Sequence, residues 1–120
     1  MATLTPTLTL TSTDLLSDSL SINVTDALTI TKAAELKRIV TSTTSSSIAV
    51  AASYTKAYVY LKNMSTTANE IITIEKAEGG DEYLFLGAGE FAFFPWASIV
   101  DLFADAATGT PILEVGIFEA

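Results

Sequence analysis

Serine and threonine occupy almost every second position between residues 3 and 31, and Leu8, Leu10, Leu20, Ile22, Val24, Leu28 and Ile30 stand between them. A side-chain period of two belongs to a pleated strand, whose successive residues point to opposite faces, and Thr packs well on such a surface. The opening quarter of the chain is therefore expected to be extended. Residues 7–11 read as a strand, but Pro6 and the lack of bulky side chains make this an arm or an edge strand rather than a central one. Alternation resumes at Leu20 and runs to Ile30 with an interruption near Thr25-Asp26, which predicts a strand pair or one long bent strand.

The same pattern continues downstream with fewer hydroxyls. Ala33, Ala34, Glu35 and Leu36 carry helical propensity, whereas Lys37, Arg38, Ile39 and Val40 favour extension, so residues 32–40 read as a turn feeding a strand. Residues 41–47 form a polar loop ahead of a short apolar stretch at 48–52. Residues 56–62 give the clearest strand, with Ala57, Val59 and Leu61 on one face and Tyr58 and Tyr60 on the other. Both faces are apolar, which predicts burial on both sides. A strand around Ile72 and Ile74 and a tight turn at Glu78-Gly79-Gly80-Asp81 predict a hairpin. Residues 83–86 and 91–94 flank Gly87-Ala88-Gly89-Glu90, whose glycines read as turn glycines. Residues 99–104 carry both helix spacing and strand-forming residues. The Thr108-Gly109-Thr110-Pro111 turn favours the strand by pairing it with residues 112–118. Eight or nine short strands at regular spacing predict an all-β chain: an antiparallel β-sandwich or jelly roll, residues 14–120, preceded by an extended N-terminal arm, residues 1–13, that could be exchanged with a neighbour.

The 120 residues contain neither His nor Cys. Zinc sites of the common types, thiol nucleophiles, serine triads with a His base and disulfides are thereby excluded. Paired carboxylates remain, with Asp101 and Asp105, or Asp81 and Glu82, as candidates for acid and base or for calcium. Neither pair has the spacing of a recognised calcium loop, and solvated turn or strand charges account for them. The reading is a protein without catalytic residues, cofactor or metal.

With 14 acidic residues against 6 basic ones, the net charge of −8 repels phosphate backbones. Lys32, Lys37, Arg38, Lys56, Lys62 and Lys76 form no stripe that would offset it, so no nucleic-acid partner is expected. No apolar run approaches the roughly 20 residues that span a bilayer. Residues 1–6 lack the basic segment and apolar run of a signal peptide, which predicts a soluble protein without a membrane partner. The triplets Asn23-Val24-Thr25 and Asn63-Met64-Ser65 match a glycosylation pattern that a Ser/Thr-rich chain produces by chance. Apolar residues make up 49% of the chain, more than so small a domain readily hides, which points to contact with another chain. The segment Phe91, Phe93, Phe94, Pro95, Trp96, with Tyr83 and Phe85 upstream, fits core packing, a sugar-stacking platform or an assembly contact. Leu8 and Leu10 of the arm, together with Phe94, Pro95 and Trp96, are the candidates for a partner interface.

Two regions resemble small virion structural proteins of tailed phages, in particular phages of marine cyanobacteria. One is Leu4-Thr5-Pro6-Thr7-Leu8-Thr9-Leu10-Thr11-Ser12 with Asp18-Ser19-Leu20-Ser21 and Val24-Thr25-Asp26-Ala27-Leu28-Thr29. The other is Tyr58-Val59-Tyr60-Leu61-Lys62-Asn63, Leu86-Gly87-Ala88-Gly89-Glu90-Phe91-Ala92-Phe93-Phe94-Pro95-Trp96 and Glu114-Val115-Gly116-Ile117-Phe118. Similar proteins often carry Pro where this chain has Ala88. The resemblance implies a capsid decoration or cement protein on the virion surface. Such a protein would be made in the host cytoplasm, form a homo-oligomer with a trimer preferred, and have the major capsid protein as partner. A receptor- or glycan-binding module of a tail or fibre, using Trp96, Tyr58 and Tyr60, is the alternative.

Overall fold

The computed structural model describes residues 1–32, 34–76 and 80–120. The described residues form twelve strands and one short 3-10 turn, in two compact units, Met1–Thr31 and Lys32–Ala120. No described helix is long and apolar enough to cross a membrane.

The first unit is one antiparallel ribbon. Strands β1 (Ala2–Leu4) and β2 (Thr7–Ser12) run out, and β3 (Leu20–Thr25) and β4 (Leu28–Ile30) return. β1 pairs with β4 from Ala2↔Ile30 to Leu4↔Leu28, and β2 with β3 from Thr7↔Thr25 to Ser12↔Leu20. The register is the same throughout, so the two pairs are halves of a single hairpin. Pro6, which has no N–H to give the ladder, sits at the break, where its carbonyl still accepts from Asp26 N–H at 3.2 Å. The expected interruption near Thr25-Asp26 is therefore the other side of the Pro6 break. The boundary expected between residues 13 and 14 falls in the loop between two paired strands, and the compact unit ends at Thr31 instead.

That register puts every aliphatic residue of the ribbon on one face, because Leu8 lies opposite Val24 and Leu10 opposite Ile22. Polar side chains, hydroxyls apart from Asn23, take the other face, where Thr7 Oγ1 and Thr25 Oγ1 lie 3.3 Å apart.

The second unit is a β-sandwich of two four-stranded antiparallel sheets. One contains β5 (Ala34–Val40), β7 (Ala57–Asn63), β10 (Phe91–Trp96) and β12 (Ile112–Glu119), in the order β10-β7-β12-β5. The other contains β6 (Ser46–Ala49), β8 (Ile72–Glu75), β9 (Glu82–Leu86) and β11 (Leu102–Ala106), in the order β6-β11-β8-β9. First pairs with last, second with seventh, third with sixth and fourth with fifth: β5 with β12, β6 with β11, β7 with β10, β8 with β9. This is a long hairpin rolled over on itself, the jelly-roll arrangement.

One side of each strand faces inward. Val59 and Leu61 of β7 and Leu113, Val115 and Ile117 of β12 meet Ile72 and Ile74 of β8 and Leu102 and Ala104 of β11 in a single core. A fully buried Leu, Ile or Val contributes about 1.5–3 kcal/mol, so this double row is the main source of cohesion.

Rolling the hairpin corrects several expectations. The β11–β12 connection through Thr108-Gly109-Thr110-Pro111 crosses between sheets, and β11 pairs with β6 and β8 rather than with β12. The reason lies in the inward rows: Leu102 and Ala104 need to face Leu113 and Val115 across the core, not lie beside them. Thr41 holds the crossing in place, donating from N–H at 3.0 Å and from Oγ1 at 2.7 Å to the Pro111 carbonyl. The hairpin expected at Glu78-Gly79-Gly80-Asp81 does form between β8 and β9, although Glu78 and Gly79 lie outside the described residues. Ala33 lies outside them too, and the helix-favouring Ala34, Glu35 and Leu36 are strand, each paired with β12. Gly89, at φ +78°, takes the left-handed turn that glycine permits.

Candidate interaction surfaces

The outer face of the β10-β7-β12-β5 sheet is a mixed aromatic and charged surface laid out in cross-strand rows. Phe93, Tyr60, Gly116 and Leu36 form one row, and Phe91, Lys62, Glu114 and Arg38 form the next. In the charged row, Glu114 accepts from Tyr60 Oη at 2.9 Å and from Arg38 Nε at 3.2 Å. The Tyr60 hydrogen bond, with Arg38 and Lys62 adding to it, holds the Glu114 carboxyl below its usual range. Burial, followed by the Glu114 contact, raises the Tyr60 phenol. In the aromatic part, Tyr58 and Phe93 are stacked at 6.3 Å with their planes 6° apart, and Lys56 Nζ lies 5.2 Å from the Tyr58 ring centre. Tyr58 and Tyr60 were expected to be fully buried. They are half-buried, on the outer face of this sheet. Gly116 leaves room for Tyr60 and Phe118: a Cβ there would stand 2.9 Å from the Phe118 ring and 3.4 Å from Tyr60 Cβ.

A cavity of about 410 Å³ opens between the free edges of the two sheets, β10 on one side and β9 on the other. Ile74, Leu102 and Trp96 form its buried floor, while Tyr83, Phe93 and Val100 stand exposed at its rim. Trp96 is only 6% exposed, and its ring tilts against Tyr54 at 5.7 Å. This corrects the expectation that Trp96 offers its ring to a partner: inward-facing positions on β10 are Ala92, Phe94 and Trp96, so the strand's pleat turns it into the sandwich. Phe94 packs against the core as well, whereas Pro95 is exposed on an edge strand, where a missing N–H costs no ladder bond.

Leu8 and Leu10 are exposed at 45% and 44%, and their cross-strand neighbours Val24 and Ile22 at 55% and 39%. The tip loop adds exposed Leu15 and Leu16. The aliphatic face of the ribbon is thus uncovered over the part remote from Thr31.

The carboxylates are spoken for or scattered. Asp101 accepts from Ala51 N–H at 2.8 Å, and Asp81 pairs with Lys76 at 2.8 Å. Burial, then the nearby charge of Glu75 and a hydrogen bond to it, then Glu82, raises the Asp105 carboxyl. No cluster able to hold a metal ion occurs among the described residues. Asn63, in a glycosylation-like triplet, is fully buried and spends its amide on the carbonyls of Glu70 and Leu86. The continuous aliphatic face was the feature that residue-by-residue reading missed. Its signal was present, since the aliphatic residues of the paired strands in the first unit all sit at even positions. Compared with known protein families, with curated proteins and with solved structures, the chain matches none.

Proposed function

We propose that this chain is a structural protein of a tailed-phage particle, a decoration or cement protein that associates with its own copies as a trimer and bridges major capsid subunits. The observation that carries the reading is the ribbon. A two-stranded hairpin is marginal in water unless its apolar face is packed, and here Leu8, Leu10, Ile22 and Val24 are left open on one side. Sister subunits or a shell would supply the missing burial. The acidic balance limits random clustering of free subunits, and repeated weak contacts on a shell add up through multivalency. Jelly rolls recur in viral capsid proteins, which supports the reading by analogy of fold.

Counting copies on purified particles tests it. Many copies per shell, lost together with shell stability when residues 1–31 are removed, are expected. Absence from particles, or only a few copies, rejects decoration. Jelly rolls also recur in lectins, and the stacked Tyr58–Phe93 pair with exposed Phe91 offers ring faces to a sugar. Glycan binding abolished by Phe93→Ala, with no effect on particle attachment, would favour a receptor-binding module instead.

A further inference from the structure

We infer that the outer aromatic face of β7 and β10 receives the aliphatic face of the ribbon from a second copy of this chain. This joint rests on the self-association proposed above and assigns the two surfaces that meet. On the sheet, Tyr58 and Tyr60 of β7 and Phe91 and Phe93 of β10 point outward, with both phenylalanines exposed. On the ribbon, Leu8, Leu10, Ile22 and Val24 form an exposed stripe that is likewise two strands wide. Laying one on the other gives each the apolar cover it lacks.

Charge selects this pairing over the alternatives. Residues 1–31 hold Asp14, Asp18 and Asp26 and no Lys or Arg. Asp14 and Asp18 lie in the tip loop and Asp26 follows the far end of β3, so carboxylates bracket the aliphatic stripe. The sheet face has the opposite frame. Lys32, Lys37, Arg38 and Lys76 are committed to ion pairs, whereas Lys56 and Lys62 make none among the described residues. Lys56 Nζ lies over the Tyr58 ring at one end of the aromatic stripe, and Lys62 stands opposite Phe91 at the other. Glu114, next to Lys62 in its row, is already held by Arg38 and Tyr60. Strands rise about 3.4 Å per residue, so the two lysines stand about 20 Å apart along β7, and the six residues of β3 separate Asp18 from Asp26 by roughly the same length. Ribbon against ribbon would set carboxylates against carboxylates, and sheet face against sheet face would set lysines against lysines. Ribbon against sheet face brings unlike charges together at both ends. Two different patches make a heterologous contact, which can repeat around a closed ring and so suits a trimer.

Sedimentation velocity on variants of the full chain tests this, with circular dichroism to confirm that each is folded. The sheet-face variant is Phe91→Asp with Lys56→Glu, both at exposed positions, and the ribbon variant is Leu10→Asp with Ile22→Asp. Each alone is expected to be monomeric. Mixed in equal amounts, they should form a one-to-one dimer that grows no further, because one intact ribbon and one intact sheet face remain between them. A third variant, Asp18→Lys with Asp26→Lys, makes the chain less acidic and so relaxes overall repulsion. Its self-association should nevertheless weaken roughly fivefold, because two ion pairs are lost from each contact. A sheet-face variant that associates as well as the unaltered chain, a mixture that stays monomeric, or tighter association of the third variant would each overturn the inference while leaving self-association in place. An unaltered chain that is monomeric at every concentration would instead remove the self-association itself, and this joint with it. The third variant changes only exposed positions and decides the matter even if either of the others fails to fold.

Discussion

Asn63 is a polar side chain with no exposed surface, and all its polar atoms are engaged. Its Nδ2 donates to the carbonyls of Glu70 at 2.8 Å and Leu86 at 2.9 Å, and its Oδ1 accepts from Ser65 N–H at 3.0 Å. One residue thus ties the end of β7 to the end of β9 and to the segment before β8. Asn63→Leu has a similar volume but leaves two carbonyls and an N–H unpaired, each costing about 1–3 kcal/mol when buried. We expect a loss of about 3 kcal/mol overall, read as a lower urea midpoint; an unchanged midpoint would show that these bonds are dispensable. Asp105 behaves in the opposite sense. Its carboxyl is raised by burial and by Glu75 and Glu82, so the folded state binds the proton more tightly than the unfolded state does. Through this group stability is greatest at low pH and declines as pH rises from the ordinary carboxylate range through the raised folded value. Asp105→Asn should therefore stabilise the protein near pH 7 by about 0.5–1 kcal/mol, the usual cost of like charges on neighbouring strands. That gain should disappear below about pH 3, where Asp105 is protonated in both states. Thermal melts at the two pH values check it, and a stabilisation independent of pH would refute the electrostatic account.

At the scale of the element, the ribbon and the sandwich use the same device with different completeness. Each is a hairpin with one apolar face, but the sandwich rolls its hairpin so that the face closes on itself, whereas the ribbon is too narrow to do so. Its Leu8, Leu10, Ile22 and Val24 stay exposed. Charges placed there should block association while leaving the core alone. The pair Leu10→Asp and Ile22→Asp, which face each other across the ribbon, should convert the proposed oligomer into a monomer in sedimentation velocity, with little change in the unfolding of the sandwich. An equal loss of folding and association would mean that the ribbon face is part of the fold's own core.

Over the whole molecule, the core and the strand pairs of the second unit are drawn from residues 32–120 alone. Its two ends are joined within it: Lys32 N–H donates to the Glu119 carbonyl at 3.3 Å, and Lys32 Nζ meets Glu119 Oε1 at 3.2 Å. Burial pushes the Glu119 carboxyl upward, but the Thr55 N–H and Lys32 outweigh it and hold it below the usual range. Acid should consequently weaken this closure as Glu119 is protonated, since a depressed carboxylate stabilises above its unfolded value and stops doing so as pH falls through the folded one. A chain of residues 32–120 is expected to keep the strand-type circular dichroism of the full protein and to melt within a few degrees of it at neutral pH. A featureless spectrum would show that the sandwich needs the ribbon to fold.

Local alternation was enough to read the all-β class, because a period of two with hydroxyls or tyrosines between aliphatics has no helical solution that separates the two kinds of residue. Residues 57–63 and 72–75 were legible on that ground, as were the turns at Gly89 and Gly109, where backbone geometry demands glycine. Pairing was not legible. Which strand lies beside which depends on closing inward rows against each other across about 10 Å, a non-local condition that no short window contains. That condition sent β11 and β12 to opposite sheets, made strand of Ala34 and Leu36, and turned Trp96 inward beside a cavity. The aliphatic ribbon lay between the two cases: its alternation was written in the residues, but only the hairpin register brought both strands' leucines, isoleucine and valine to a single face.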